Sequence, residues 1–245
     1  MERPQFSFFF KKKEVNVDCF TSMAGIAEVY PATKSFEYIP DWWKSLKPSN
    51  SVIHEGINRS YDAATMKGCS GITDLYKKGF VIPLWADFNM YIEEDCYQYL
   101  SPFKNFEIRS HSEEQHNYAL SKYHHAKITS PWLFQESKGI NFLFLPCTWS
   151  HITTLPGVTV LPGVVNFKHI PESNVNFLVP KVKNVLKALA GTPLVQVIPI
   201  TEHNLKLNIQ IVTEQEWAKI SNKHYGSKFL FNSMSMTKRR DKNHG

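Results

Sequence analysis

The fold is decided by residues 128–200, which read ITSPWLFQESKGINFLFLPCTWSHITTLPGVTVLPGVVNFKHIPESNVNFLVPKVKNVLKALAGTPLVQVIPI. Short runs rich in Val, Ile, Phe and Thr recur there, and each run is closed by Pro, Gly or Ser-Asn. Runs of this kind are typical of strands that fold back on one another. We therefore predict strands at about 140–146, 158–168, 174–179 and 193–201.

One helix is predicted to interrupt these strands, over the segment PKVKNVLKALAG. Its apolar face is formed by Val182, Val185, Leu186 and Leu189, and Gly191 ends it. Apolar residues at this spacing share one face of a helix, so the pattern favours a helix over a strand here.

Alternation of apolar and polar residues predicts further strands outside this stretch. They lie at 15–20, in two segments of 80–92, at 105–112 and at 206–212. In the last of these strands we expect three side chains to point inward: Leu207, Ile209 and Ile211.

Three more short helices are predicted from their end signals. Pro40 can open one helix, and a second lies within 65–79, where Gly79 is placed to end it. Thr213 and Glu216 have the spacing of a capping box and open a helix near the end of the chain.

Most of the predicted strands are joined by short turns rather than by crossover helices, which favours antiparallel sheets. The sequence therefore predicts a mainly β protein, a jelly roll or double-stranded β-helix (cupin-like), with a few short peripheral helices. A chain of 245 residues with 42% hydrophobic residues can bury its own core. We expect one β-rich domain, with an N-terminal extension over about 1–50 and a loosely held basic tail over about 232–245.

The formal net charge of +6 is concentrated partly at the ends of the chain. A basic tail can contact phosphate or an acidic protein surface, although a solvated tail is the simpler interpretation. No arginine-rich stripe or nucleic-acid module is visible in the sequence. We assign possible partner contacts in the tail to three residues: Lys238, Arg239 and Arg240.

The four cysteines are far apart and include no C-x-x-C pair, which argues against a zinc site or a disulfide framework. Reduced thiols in a cytoplasmic compartment fit this pattern. The short apolar run before the first lysines has the opposite order to a signal peptide, and no apolar segment approaches the length of a membrane span. We expect a soluble intracellular protein, or one released by lysis, without membrane contact.

Four motifs occur in order along the chain: WWK, then TMKGCSGITDLYKKGFVIPLWADF, then SPW, and finally GTPLVQVIPI. Together they resemble a family of uncharacterised proteins of tailed phages and some bacteria. The pattern of that family is K-x-C-P-x-x-x-D, then G-x-x-I-P-L-W-x-D, N-P-W-x-x-x-T-P-x-G-Y-S, a strand ending in a P-V-N-F-P-F-like run, and G-T-P-x-x-Q-x-I-P. The residues that match the pattern are Lys67, Cys69, Asp74, Gly79, Ile82, Pro83, Leu84, Trp85, Asp87, Pro131, Trp132, Val175, Asn176, Phe177, Gly191, Thr192, Pro193, Gln196, Ile198 and Pro199.

The resemblance implies a cupin-like β fold, a phage or bacterial setting, and a location in the host cytoplasm or the virion. It implies no established reaction, so it assigns no catalytic residue. The chain departs from the pattern at Ser70, where the family has Pro, and after Trp132, where QESKGINFLFLPC replaces a Thr-Pro and Gly-Tyr-Ser turn. A ligand site shaped by that turn would be altered or lost here. Gln196 alternates with its valine neighbours and points either into the interior or outward.

One metal site can be drawn from the sequence. Jelly-roll oxygenases bind Fe(II) through two histidines and one carboxylate, and two ligands at i and i+2 share one face of a strand. His111 and Glu113 have that spacing, and His169 or His151 could supply the third ligand. The same spacing arises by chance among ten histidines. An arginine to clamp a cosubstrate carboxylate is also missing from the late strands.

Other catalytic devices are missing from the sequence, which has no G-x-S-x-G elbow, P-loop or G-x-G-x-x-G motif. Trp42 and Trp43 are adjacent on a predicted helix and point in different directions, so one anchors the helix and the other is free for a partner. We predict a non-enzymatic phage jelly-roll protein without a cofactor. It acts through contacts with other phage or host proteins or with itself, most concretely as a virion component. The alternatives are a cupin-like metal-dependent enzyme such as an Fe(II) oxygenase, or a small-molecule or glycan-binding module.

Overall fold

The computed structural model of the chain describes residues 14–53, 60–116 and 118–222. Its strands are β1 (Glu14–Thr21), β2 (Thr33–Lys34), β3 (Ser49–Ile53), β4 (Ser60–Ala64), β5 (Phe80–Pro83), β6 (Phe88–Ile92), β7 (Tyr97–Leu100), β8 (Ile108–Ser110), β9 (Tyr123–Ile128), β10 (Leu133–Gln135), β11 (Asn141–Pro146), β12 (Thr159–Val160), β13 (Gly163–Asn166), β14 (Val175–Pro180), β15 (Asn184–Ala188), β16 (Pro193–Pro199) and β17 (Asn204–Ile211). The α-helices are α1 (Ala24–Val29), α2 (Asp41–Ser45), α3 (Ser70–Lys77), α4 (Thr148–Thr154) and α5 (214–222). Turns of 3₁₀ helix lie at Ser35–Tyr38, Met66–Gly68 and Glu113–His116.

The described residues are mainly β, as the sequence predicts, and their helices are short. The sheets have the strand orders β10-β1-β17, β13-β11-β16-β5-β2, β12-β14-β9-β8, β15-β6-β7 and β3-β4. Within the described ranges every strand pair is antiparallel except β1 with β17, and no sheet closes into a barrel. None of the helices in these ranges is long and apolar enough to cross a membrane.

Strand β16 lies at the centre of the five-stranded sheet, between β11 and β5, and both of its faces are buried. Val195 and Val197 are fully buried on one face, while Gln196 is buried on the other. The Gln196 side-chain Nε2 donates hydrogen bonds to the Leu75 carbonyl at 2.9 Å and the Lys78 carbonyl at 3.0 Å. Gln196 is therefore an interior residue that binds the carbonyls at the end of α3.

Gly79 links α3 to β5 and crosses β16 at close range. Its φ is +72°, a left-handed conformation that favours glycine, and a Cβ placed there would lie 2.0 Å from the Val197 carbonyl oxygen. The sequence predicts that Gly79 ends the helix, and the structure gives a second reason why this position requires glycine. The backbone of the turn touches the backbone of β16.

The helix predicted over PKVKNVLKALAG (180–191) is wrong, because Asn184–Ala188 of this segment form β15. It pairs antiparallel with β6, placing Leu186 opposite Met90 and Ala188 opposite Phe88. Leu186 and Ala188 are buried, whereas Val182 and Leu189 on the predicted apolar face are each 67% exposed. Pairing with β6 buries an alternating pair of side chains, and this overrides the helical spacing of the four apolar residues.

Most of the other predicted elements are present. The strands predicted at 140–146, 174–179 and 193–201 correspond to β11, β14 and β16, whereas the one predicted at 158–168 is divided into β12 and β13. Helices α2 and α3 lie where they are predicted. Helix α4 is an element that the sequence did not predict.

The capping box before α5 is confirmed by two reciprocal hydrogen bonds. The Thr213 N–H donates to Glu216 Oε2 at 2.9 Å, and the Glu216 N–H donates to Thr213 Oγ1 at 3.2 Å. The strand before it, β17, was predicted to bury its apolar residues. Leu207 is half-buried, but Ile209 and Ile211 are 42% and 54% exposed.

Replacement of Gly79 by alanine tests the contact between the turn and β16. We expect Gly79→Ala to lower the free energy of unfolding by about 3 kcal/mol, since it combines left-handed strain with overpacking against a backbone carbonyl. Urea unfolding followed by circular dichroism measures the change.

Gly71→Ala is the matched control, because Gly71 lies within α3 and the nearest atom to an added Cβ is Cys69 Sγ at 4.0 Å. Alanine has a higher helix propensity than glycine, and Gly71 lies in the first turn of α3, so this variant is expected to change the free energy of unfolding by less than about 1 kcal/mol. Equal stabilities for the two variants would contradict the close approach at Gly79.

Candidate functional site

Trp42 and Trp43 on α2 have different environments, as the sequence predicts for adjacent residues on one turn. Trp43 is buried and packs against Tyr76, with ring centroids 5.6 Å apart. Trp42 is 40% exposed and makes an edge-on contact with Trp149 at 5.8 Å. Trp43 therefore anchors the helix, and the partner contact of Trp42 stays a prediction.

A cavity of about 60 Å³ lies beside these tryptophans. Its walls come from four parts of the chain: the 3₁₀ turn at Ser35–Tyr38, the end of α3, the start of α4 and the central sheet. The lining residues are Ser35, Tyr38, Leu75, Tyr76, Val81, Pro146, Cys147, Thr148, Trp149, Ser150, Pro193 and Gln196.

The cavity wall is uncharged at neutral pH. Burial raises the pKa of the Tyr76 hydroxyl to about 12 and that of the Cys147 thiol to about 12. Burial also raises the pKa of Tyr38. A nucleophilic cysteine needs a lowered pKa and a supply of thiolate, so Cys147 is not suited to covalent catalysis.

Two hydroxyl groups of lining residues have no partner among the described residues. Ser35 is 2% exposed and Tyr76 is 8% exposed, and the Ser35 Oγ and the Tyr76 hydroxyl are buried without a hydrogen bond. A buried polar group left without a partner costs about 1–3 kcal/mol. Each of these two buried hydroxyls therefore lowers the stability of the folded chain.

The described structure does not group the three residues predicted as metal ligands. Strand β8 ends at Ser110, so His111 and Glu113 are not on one strand, and the face-sharing that the i, i+2 spacing requires is lost. Glu113 forms an ion pair with Lys181, and His169 lies in the turn that follows β13. Across the described ranges, no three His, Cys, Asp or Glu side chains are grouped to hold a metal ion.

His111 instead belongs to a cluster of histidine rings. Its Nδ1 lies 2.6 Å from Gln115 Oε1 and its Nε2 lies 3.1 Å from Asn176 Oδ1. Its ring stacks on the His125 ring at 4.3 Å, and the His116 ring lies 6.2 Å from that of His125. Both ring nitrogens of His125 are buried without a partner in the described structure.

The pKa of His125 is lowered by its surroundings. Burial is the main cause, followed by the positive charges of His111, His116 and Lys127. The folded protein therefore favours the neutral ring. Lost hydration and the neighbouring cations both act against protonation.

The turn after Trp132, where the chain departs from the family pattern, is closed by a buried carboxylate. The Glu136 side chain is buried and accepts hydrogen bonds from the backbone N–H groups of Lys138 at 2.7 Å, Gly139 at 2.7 Å and Ile140 at 2.9 Å. This carboxylate satisfies three backbone donors, so its evident role is to hold the β10–β11 turn.

Sequence reasoning identified Gln196 and the Trp42-Trp43 pair but missed Ser35, Tyr76 and Trp149. Tyr76 lies within the second motif, where no chemistry was assigned to it, and Ser35 and Trp149 belong to no motif. The three residues meet only when distant segments fold together. The other predicted partner residues, Lys238, Arg239 and Arg240, lie outside the described residues.

The lowered pKa of His125 predicts a stability that depends on pH. In the unfolded chain the imidazole regains its ordinary pKa of about 6.5. The contribution of His125 to the free energy of unfolding is therefore complete above pH about 6.5, and it is lost as the pH falls towards the lowered pKa of the folded state. We expect His125→Phe, which keeps a stacked ring, to have a shallower fall in unfolding free energy between pH about 7 and about 5.

Urea titrations at a series of pH values measure this slope. Tyr123→Phe is the control, because Tyr123 is an exposed residue of the same strand, and it should keep the wild-type slope. An unchanged slope in His125→Phe would show that this ring does not govern the pH response.

No protein-family model matches the chain, and no curated protein is similar to it in sequence. The family indicated by the motifs therefore stays a prediction that rests on the residues themselves.

Proposed function

We propose that the protein is not an enzyme and that it acts through protein–protein contacts, the first of which is with a second copy of itself. The open edge of β17 is the observation that carries this proposal. Among the described residues β17 is an edge strand that pairs with β1 alone. Its eight residues make it the longest edge strand in that part of the chain.

An open strand edge presents unpaired N–H and C=O groups to which another strand can add. Natural edge strands are commonly protected by proline, by several lysines or by a bulge. The β17 sequence NLKLNIQI contains no proline, its only charged residue is Lys206, and its register with β1 is unbroken. The edge therefore has little protection against pairing.

The direction of the backbone groups follows from the pairing with β1. The Val212 N–H donates to the Thr21 carbonyl at 2.9 Å. In a parallel ladder a residue directs both of its backbone groups to the same side, and its neighbours direct theirs to the other side. The even-numbered residues of β17 therefore bond to β1, and the odd-numbered ones direct their N–H and C=O groups to the open edge.

The same odd-numbered residues carry the apolar side chains of β17. In register with β1, Leu205 and Leu207 lie beside the buried Val15 and Val17, whereas Ile209 lies beside Cys19 and remains exposed. The row of apolar side chains thus extends beyond the part of β17 that the rest of the same chain covers. A partner strand would find hydrogen-bonding groups and apolar side chains at the same positions.

A second copy fits this edge in antiparallel pairing about a two-fold axis. Residues directly opposite each other share a face, so registers that oppose odd to odd residues continue the row of Leu205, Leu207, Ile209 and Ile211 across both copies. A shift of one residue would oppose isoleucine with Lys206 or Asn208 and is disfavoured. The contact is also closed, because each copy then uses its only β17 edge.

The resemblance to phage and bacterial proteins supports a setting for this contact. We propose a jelly-roll protein of a tailed phage, present in the host cytoplasm or the virion, where it is a structural component and binds other phage or host proteins. Basic residues at the ends of the chain and exposed Trp42 are the further contact points of this proposal.

Ile209→Lys tests the contact through β17. Lysine places a charge in the apolar row, so we expect the dissociation constant of the dimer to rise by about tenfold or more. Sedimentation velocity over a wide range of protein concentration measures the oligomeric state.

Val164→Lys is the matched control, since Val164 is an exposed aliphatic residue on the edge strand β13. It should dimerise like the wild type. A wild-type chain that remains monomeric at every concentration, or a control that dissociates as much as Ile209→Lys, would refute the proposed contact.

A further inference from the structure

We propose that the histidine cluster is an acid-sensitive switch, in which protonation of His125 displaces the segment 111–116 from the sheet β12-β14-β9-β8. The segment follows β8 directly and includes the 3₁₀ turn Glu113–His116. This inference is independent of the contact through β17. It rests on the geometry of the histidine rings, on the contacts that hold the segment and on the charges that surround the cluster.

The segment is held against the sheet by a small number of polar contacts. The His111 N–H donates to the His125 carbonyl at 2.9 Å, and His111 Nε2 lies 3.1 Å from Asn176 Oδ1. Glu113 forms an ion pair with Lys181. The 3₁₀ turn itself contains no buried residue. Segments with few buried contacts open at a low cost in free energy, so one unfavourable charge can displace this segment.

The His125 ring lies against two rings of the segment. The His111 ring stacks on it with the centroids 4.3 Å apart and the planes 26° apart, and the His116 ring lies 6.2 Å away. Both ring nitrogens of His125 are buried without a partner among the described residues. A protonated imidazole has two N–H donors that need acceptors. Displacement of the two neighbouring rings would let water meet these donors.

The charges around His125 oppose a proton on its ring. Burial is the main cause of its lowered pKa, and the further causes are the positive charges of His111, His116 and Lys127. The residue opposite His125 on β14 is the uncharged Leu178. Two of these three cations belong to the segment, so its displacement removes most of the repulsion.

The nearest carboxylates on the packed elements already have other partners. Glu107 forms an ion pair with Arg109 of β8 at 2.8 Å, and Glu113 is paired with Lys181 after β14. Glu114 on the 3₁₀ turn is exposed to solvent. The two ion-paired carboxylates therefore balance other cations and not a proton on the cluster.

The sign of the pH response follows from these features. With the segment in place the neutral His125 ring is favoured, whereas a hydrated ring has the ordinary pKa of about 6.5. The ratio of displaced to docked molecules is therefore constant above pH about 6.5. Below that pH it rises by up to about tenfold for each pH unit, until the lowered pKa is reached.

Hydrogen–deuterium exchange of the full chain, read by mass spectrometry at pH about 7.5 and about 5.5, measures the displacement. Protection factors are compared, because they remove the dependence of the intrinsic exchange rate on pH. We expect the protection of peptides within 111–116 to fall by about fivefold to tenfold at the lower pH. The protection of the central strand β16 should stay unchanged.

Two variants separate proton uptake from simple loosening of the segment. His125→Phe keeps a stacked ring without a titratable nitrogen, so the segment should be equally protected at both pH values. Lys181→Met removes the ion pair with Glu113, so it should lower the protection at both pH values and keep the difference between them. His169→Gln is the control, since His169 lies in the turn after β13, and it should respond like the wild type.

Three results would overturn the proposal. Equal protection of the wild-type segment at the two pH values would show that the docked segment tolerates the proton. A fall that persists in His125→Phe would assign the response to another group. An equal fall in β16 would show that the whole chain unfolds and that the segment does not move by itself.

Discussion

The contact between Gly79 and the carbonyl of Val197 is the constraint on which much of the described structure depends. It allows the turn after α3 to cross the backbone of β16, where a side chain of any size would collide. Gln196, the neighbour of Val197, then donates hydrogen bonds to the Leu75 and Lys78 carbonyls at the end of the helix, and the Leu75 carbonyl also accepts from the Lys78 N–H. Gly79 thus permits the close approach and Gln196 stabilises it, so together they hold the end of α3 against β16.

The same junction explains why an uncharged cavity exists beside α3. The helix end contributes Leu75 and Tyr76 to the wall, and the strand contributes Gln196. Because the two amide hydrogens of Gln196 already satisfy the helix carbonyls, no charged side chain is required to close the end of α3. The described lining of the cavity therefore carries no fixed charge.

Local signals in the sequence predict those elements whose conformation is determined by residues close in sequence. Gly79 and the pair Thr213 and Glu216 mark helix ends, and both signals correspond to observed geometry. The segment 182–189 is different, because its apolar residues fit a helix and a strand about equally and only the presence of β6 decides. The cavity could not be predicted, since no local pattern shows that four separate segments meet.

Parallel pairing of β1 with β17 brings the two ends of the described chain together and also determines what is left open. A chain that pairs its last strand with its first has no later strand, within the described residues, to cover the other side. The row that begins beside Val15 and Val17 therefore passes from half-buried to exposed along β17. Ile209 and Ile211 are thus exposed because β17 is the edge strand of the sheet β10-β1-β17. The same strand order leaves the edge at which we propose that a second copy binds.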